Sequence, residues 1–322
     1  MRRSRILFLY EHEAPFVNQD LQILRQRFDV LAIECSRGVS TREIFRRVLD
    51  ADATFSWFAL GYTARAVLVG RLLRRPSVVV AGGWDVLSMP EIDYGAARGS
   101  RGSRRARYVL RKASVVLTFS SFSRQAITDL SGREAELVYL GVDTSRFKPR
   151  GKEPVVVSAG HITKQNLVRK GMETFVRSAA LLPDVRFVLA GRLEPSASTA
   201  LSAFLPHNLE LPGYLGDDEF RELLGRARVY VQASYNEGFG LALAEAMASE
   251  CVPVVTRNGS LPEVAGDTGF YVPYGDARAT AEAIREALKT DGQAARARVE
   301  DKFPIERRRD RLLGLLEAIL ER

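Results

Sequence analysis

One pattern occurs twice along this chain and leaves few folds open to it. Short runs dominated by Val, Ile, Leu and Phe alternate with segments of helical period, and the alternation halts once, at residues 140–154. Before the halt the strand-like runs are RILFLY, DVLAIEC, ATFSWF, PSVVVAGG and SVVLTFS. Interleaved with them, QDLQILRQRF, TREIFRRVLD, GYTARAVLVGRLLR, RARYVLRKA and SFSRQAITDLSG read as helices. A run that is apolar at every position suits a strand covered on both faces, as in a parallel sheet with helices on either side. Parallel neighbours need a crossover, and here each crossover has the length of a helix. The halt, LGVDTSRFKPRGKEP, is rich in Gly, Pro and charge and reads as a linker. After it the strands VVVSAG, VRFVLAG, RVYVQAS and CVPVVTR alternate with KGMETFVRSAALL, DDEFRELLGRA and a helix at about 241–248, and two amphipathic helices close the chain. The expectation is an α/β protein of two doubly wound, Rossmann-like domains facing across a cleft, residues 1–145 and 146–305. The terminal helix 306–322 is expected to pack back on the first. Ligands of such sheets bind at the carboxyl ends of the strands.

Composition narrows the class. The 322 residues are 46% hydrophobic and 27% charged, enough to bury two ordinary cores. No apolar run reaches the roughly 18–20 residues of a membrane span. The short apolar run after the basic start MRRSR is too brief for a signal peptide. Cys35 and Cys251 lie in apolar, strand-like contexts in different halves, so free thiols and a cytoplasmic location are expected. Charge is uneven: residues 1–150 hold 25 Lys and Arg against 15 Asp and Glu, net +10, and the remainder holds 22 against 24, net −2. The excess concentrates in RGSRGSRRARYVLRK, residues 98–112, with seven basic residues and no acid. This segment reads either as a solvated basic helix from about Gly102 or as a contact for an anionic membrane surface, on the inner face if so. Only Tyr108 interleaves the arginines, which argues against nucleic acid as a partner.

The stretch YNEGFGLALAEAMASECVPVV, residues 235–255, carries the clearest chemistry. Glu237 precedes a Gly-Phe-Gly turn that opens a helix, and Glu245 follows about two turns along. A helix start exposes unpaired N–H groups and the positive end of the dipole. Gly238 and Gly240 remove side chains where a ligand must approach the backbone. Such a site takes an anion, with one carboxylate on its rim. Without a ligand, Glu237 would be a charge partner of the helix start and Glu245 a surface carboxylate. A second basic pair, Arg169 and Lys170, stands just before Gly171 at another helix start.

Taken in order, GVDTSRFKP, RKGMETFVRSAALLPDVRFVLAG, LPGYLGDDEFRELLGRARVYVQASYNEGFGLALAEAMASECVPVV and NGSLPEVAGDTGFYVPYGD resemble the nucleotide-sugar domain of retaining GT-B glycosyltransferases of the family-four (glycosyl transferases group 1) type. The resemblance covers about residues 138–322 well and the first half more loosely. It implies that Glu245 binds the ribose of the nucleotide and Glu237 lies near the donor sugar. Phe239, Gly240 and Leu241 would cap sugar and diphosphate with their backbone, and Arg169 and Lys170 would meet the diphosphate. Gly213, Tyr214 and Leu215 match the segment that reads the base.

The chain departs from the pattern at several positions. Gly160-His161 stands where many members have Gly-Arg, and the loop ITKQNLVRKG is longer than usual; Lys164 or Arg169 would compensate, with His161 as a turn residue or a donor contact. On the acceptor side, Gly82 replaces a histidine common in the family, leaving Trp84 and Asp85. Asp85 would orient a hydroxyl or cap a turn. His12, Glu13, Glu91 and Tyr94 would complete the acceptor side. The implied activity is retaining hexosyl transfer from a nucleotide sugar, a UDP-sugar first and GDP-mannose second, to a lipid-linked, polysaccharide or small-molecule hydroxyl. No cofactor and no metal are expected, since the cations and helix N–H groups can stabilise the leaving diphosphate. The alternatives are a nucleotide-sugar epimerase of the same fold and a non-catalytic nucleotide-sugar-binding module.

Overall fold

The computed structural model describes residues 3–202 and 204–321. The chain forms two compact units: one runs to Leu140 and takes in the chain again from Glu306, and the other is Gly141–Ile305. The first contains strands Arg5–Tyr10 (β1), Asp29–Glu34 (β2), Ala53–Trp57 (β3), Ser77–Val80 (β4), Val115–Thr118 (β5) and Glu136–Leu137 (β6). All pair in parallel, in the order β2-β1-β3-β4-β5-β6. The second contains Glu153–Ala159 (β7), Arg186–Ala190 (β8), Leu209–Glu210 (β9), Ala227–Gln232 (β10), Val252–Thr256 (β11) and Phe270–Val272 (β12). These are also parallel, in the order β12-β11-β10-β7-β8-β9. Each sheet therefore has one place where the winding reverses, between β1 and β3 in the first and between β7 and β10 in the second. Loops leaving the carboxyl ends of those strands diverge to opposite faces and open a crevice.

The apolar runs explain both cores. Ile6, Leu7, Phe8 and Leu9 of β1 are wholly buried, and Phe8 stacks on Phe55 of β3 with ring centroids 5.3 Å apart. In the second unit Val156, Phe187, Val229 and Val254 form the sheet side of one cluster, closed by Met172, Phe175 and Val176 of helix Met172–Ala180. The first helix begins at Pro15 rather than at Gln19, because proline is well suited to the opening position of a helix. The segment expected as a loop before Lys170 is instead a short helix, Lys164–Arg169, capped by Thr163.

Helix Ile305–Leu320 belongs to the first unit from Glu306 onward. Its Arg308 is buried and donates to both oxygens of buried Asp20 at 2.6 and 2.7 Å, and to the carbonyls of Val138 and Tyr139. Burial pushes the Asp20 carboxyl above its ordinary range, against the pull of Arg308. A paired internal charge of this kind is tolerable only when both partners stay hydrogen-bonded.

Candidate functional site

The winding reversal of the second sheet places its cations and carboxylate together. Gly171 adopts φ +63°, and a Cβ there would stand 1.9 Å from the Ala233 carbonyl oxygen, so only glycine lets this turn lie against the end of β10. The turn holds Lys170 with Nζ 3.8 Å from Glu237 Oε2; their side chains are 23% and 15% exposed. Gln232, the last residue of β10, donates to the same Oε2 at 2.7 Å. Burial alone would push the Glu237 carboxyl up, but Lys170, Arg169, Gln232 and the Gly238 N–H together hold it below its ordinary range. Arg169 is aimed by Asn166, whose Oδ1 accepts from its guanidinium at 2.9 and 3.1 Å, and the Arg169 carbonyl accepts from the Tyr235 N–H. Lys170, Arg169 and Glu237 thus meet at one crevice, at the carboxyl ends of β7 and β10.

Several contributors to this crevice carry no sequence signal of their own. The Ser260 N–H and hydroxyl both donate to the Glu237 carbonyl at 3.1 Å, and Gly259 packs so closely that a Cβ would lie 2.4 Å from that oxygen. Gln232 Oε1 and Asn236 Oδ1 are buried acceptors without a hydrogen-bond partner among the described residues. His161, at the position of the family arginine, turns to Glu194, Nε2 to Oε1 3.0 Å, while Lys164 is exposed at the start of its short helix.

Helix Leu241–Ala248 begins at Gly240, φ +93°, with no side-chain cap, so its first N–H groups remain open to an anion. Leu241 is half-buried at the first helical position, and Phe239 is buried edge-on against Phe303. Glu245 is half-buried rather than on the open surface. Burial, with Asp217 nearby, pushes its carboxyl up to about 8 against the pull of Arg146 and Arg221. Arg146, Asp217 and Arg221 form an ion-pair chain, each link 3.8 Å, drawn from the linker and from helix Asp217–Arg226. Gly213 has φ +81° and its carbonyl accepts from the Gly191 N–H at 2.8 Å, pinning the turn to the end of β8. Tyr214 projects from that turn, 76% exposed, followed by half-buried Leu215.

In the first unit the winding reversal opens a cavity of about 390 Å³, lined by Glu11, His12 and Phe16 from beyond β1, Phe58 and Leu60 from beyond β3, and Trp84. Phe58 holds a left-handed backbone, φ +70°, a strained conformation for a bulky residue. A second cavity, about 540 Å³, shares Leu60 and Trp84 and continues to Arg98 and Arg105. His12 and Trp84 therefore line a cavity, whereas exposed Glu13 gives way to Glu11. Glu91 is exposed and lines neither cavity, and Tyr94 pairs with Met89 and packs on the apolar cluster beneath helix Ser100–Lys112. Asp85 lines the second cavity with its carboxylate turned to backbone N–H groups. It is fully buried and accepts from the N–H groups of Ala59 at 2.8 Å, Gly83 at 2.9 Å and Gly82 at 3.3 Å. Burial pushes its carboxyl up in spite of these bonds. It caps the turn that carries Trp84. Gly82 sits at φ +142°, where a Cβ would lie 2.6 Å from both Ser123 Cβ and Thr118 Oγ1, so a histidine has no room.

The basic segment is a helix from Ser100, not from Gly102, preceded by a 3-10 turn at Ala96–Arg98 rather than an open loop. Its arginines divide. Arg107 and Arg111 donate to the carbonyls of Leu130 and Ser131, at the end of helix Ser121–Ser131, at 3.0 and 2.7 Å. Arg133 returns the favour to Leu110 and Ala113. Among the described residues no helix is long and apolar enough to cross a membrane.

Comparison with known proteins places this arrangement. Residues 143–302 match the family Glycosyl transferases group 1. An MMP alpha-(1->4)-mannosyltransferase of Mycolicibacterium hassiacum is 37% identical over 171 residues, 50% of this chain and 41% of that protein. An alpha-galactosylglucosyldiacylglycerol synthase of Streptococcus pneumoniae is 32% identical over 158 residues, 46% of this chain and 37% of that protein. The matches thus span less than half the length of these curated relatives. Among solved structures, sucrose-phosphate synthase from Thermosynechococcus elongatus aligns over 99% of this chain and 100% of its own, with a TM-score of 0.80 at 18% identity. Anabaena HepE in complex with UDP and glucose aligns over 98% and 100%, with a TM-score of 0.79 at 18% identity. The fold is that of the GT-B proteins, two Rossmann-like units, and through residues 143–302 the chain belongs to the glycosyl transferases group 1 family.

Proposed function

We propose that the chain is a retaining hexosyltransferase that moves a sugar from a nucleoside diphosphate to an acceptor hydroxyl without a metal. The observation that carries this reading is the meeting of Lys170, Arg169 and Glu237 at the winding reversal of the second sheet, in the unit that also supplies the uncapped helix start at Gly240. The diphosphate gains negative charge as its bond to the sugar breaks. Cations and helix N–H groups already in place favour that state over the bound ground state. Glu237, held ionised, is an acceptor for a donor-sugar hydroxyl, and Gln232 keeps it aimed. Glu245 takes the ribose hydroxyls, and the turn Gly213–Leu215 meets the base. The acceptor enters through the cavities of the first unit, past His12 and Trp84. Retention follows if the acceptor approaches on the face that the diphosphate leaves, with a phosphate oxygen taking its proton, so no strong enzymic base is required.

The family match and the UDP and glucose bound by HepE support a nucleotide-sugar donor, UDP-linked first and GDP-mannose second. The test is a panel of nucleotide sugars and hydroxyl acceptors read by release of free nucleoside diphosphate. Acceptor-dependent release supports transfer. Sugar interconversion without release would identify an epimerase, and tight nucleotide binding with neither reaction a binding module.

A further inference from the structure

We infer that the acceptor carries an anionic group, a phosphate or a carboxylate, which Arg105 and Arg98 bind beside Trp84; the inference rests on the transfer reading for its biological role. The larger cavity of the first unit, about 540 Å³, is lined by both arginines, by Trp84 and by backbone of the Gly95–Gly102 segment. Trp84 is 47% exposed and also walls the neighbouring cavity at the winding reversal, so one molecule can reach from His12 and Glu11 to the two guanidinium groups. Arg105 stands over the start of helix Gly61–Leu72: a Cβ on Gly61 would lie 3.3 Å from one of its guanidinium nitrogens. That helix has no side-chain cap, and neither has helix Ser100–Lys112, which opens at the same cavity through Gly99. Two unpaired helix starts add partial positive charge to that of the arginines.

The counter-charges leave the Arg105 charge in place, while Arg98 shares its charge with Asp93. Asp85 lines the cavity, but its oxygens already accept from three backbone N–H groups. Asp93 pairs with Arg98, whose Nε also donates to the Gly95 carbonyl. Arg105 has no hydrogen-bond or ion-pair partner among the described residues, in contrast to Arg107 and Arg111 on the same helix. Arg105 is an exposed residue like Arg101 and Arg104 but lines the cavity, and an unpaired guanidinium there is a fork suited to two oxygens of a phosphate or carboxylate. The aromatic face of Trp84 beside it suits the apolar face of a sugar or cyclitol ring.

The test uses the full chain and paired probes: glucose 6-phosphate and glucuronate against glucose, and phosphatidylglycerol against phosphatidylcholine vesicles. Binding is followed by calorimetry and by co-sedimentation, in parallel with UDP and GDP binding. The expected result is selective binding of the anionic member of a pair, weakened at least tenfold by Arg105→Gln and further by Arg98→Gln, with Arg105→Lys intermediate and Arg104→Gln without effect. Nucleotide affinity stays unchanged in every variant, so failure here is distinct from failure of the donor site. Arginine-dependent binding of the soluble anions alone identifies a soluble acceptor; arginine-dependent binding confined to anionic vesicles identifies a lipid headgroup. Equal binding of charged and neutral probes overturns the inference. So does anion binding that survives Arg105→Gln with circular dichroism unchanged, or vesicle binding lost on changing exposed Arg101 and Arg104 instead.

Discussion

Nucleotide binding should take a proton from Glu245, and the effect is large enough to measure. In the empty protein burial pushes this carboxyl up to about 8. The ribose offers two O–H donors, which an ionised carboxylate accepts and a protonated one accepts poorly. If only the ionised form binds, affinity follows the ionised fraction, roughly 1% at pH 6 and about half at pH 8. Between those values the affinity should rise about 50-fold, or about 2.3 kcal/mol. The diphosphate itself titrates near pH ~6, so the quantity to read is the difference between wild type and Glu245→Gln. That variant cannot ionise and should show only the ligand's own pH dependence. Calorimetry in two buffers of different ionisation enthalpy would count the proton released. Linkage gives a second readout. An unfolded Glu ionises near pH ~4.3. The folded group stays protonated up to about 8, so the native state binds the extra proton in that window. The empty protein should therefore lose stability as pH rises from about 4.5 to about 8, and Glu245→Gln should flatten the loss. Parallel pH profiles for wild type and variant, with no proton exchanged, would refute the assignment of Glu245 to the ribose.

Lys170→Ala should lower kcat by about two orders of magnitude or more, with a smaller change in donor affinity, because the diphosphate charge grows toward the transition state; near-normal kcat would move the phosphates elsewhere, Lys164 being the next cation to test. Activity should survive excess chelator, and loss with EDTA restored by magnesium or manganese would overturn the metal-free reading. Arg308→Ala leaves Asp20 buried and unpaired and should cost about 3–5 kcal/mol in urea unfolding of the first unit, whereas replacing both partners with apolar residues should cost less.

The alternation of apolar runs was sufficient to read two parallel sheets because the central strands, such as Arg5–Tyr10, Ser77–Val80 and Val252–Thr256, bury most of their residues on both faces. The strands that left no trace are those too short to have a period: Glu136–Leu137, Leu209–Glu210 and Phe270–Val272. Each lies at a sheet edge and is held by one neighbour only. Helix Gln293–Lys302 was equally silent, since it buries only Ala295 and Val299 and shows no apolar stripe. Of the crevice in the second unit, Glu237 and Lys170 were legible through the glycines that follow them, Gly171 and the Gly238–Gly240 turn, of which Gly171 and Gly240 hold positive φ. Their supports were not. Gln232 reads as an ordinary strand residue, and Gly259 and Ser260 as an ordinary turn, until the fold brings them to the Glu237 carbonyl and carboxylate.

The basic segment shows why a charge count differs from a surface potential. Seven basic residues between 98 and 112 suggest one cationic face, and a face of that kind would gain roughly 1 kcal/mol per residue near an anionic bilayer. The fold assigns them unlike partners. A helix leaves its last carbonyls unpaired, and arginine reaches such carbonyls well. Helices Ser100–Lys112 and Ser121–Ser131 end side by side, so Arg107 and Arg111 close one end while Arg133, from beyond the second helix, closes the other. Those guanidinium groups are already committed to fixed geometry. Arg98 and Arg105 turn to a cavity. Six of the seven are exposed, Arg107 alone being half-buried, so it is their partners and not their exposure that separate them. Scattered exposed charges make a weak, salt-sensitive contact with a bilayer, whereas an unpaired guanidinium beside a cavity is suited to a selective one with an anion. The charge count of the segment therefore says less about a bilayer than the separate placement of each guanidinium does.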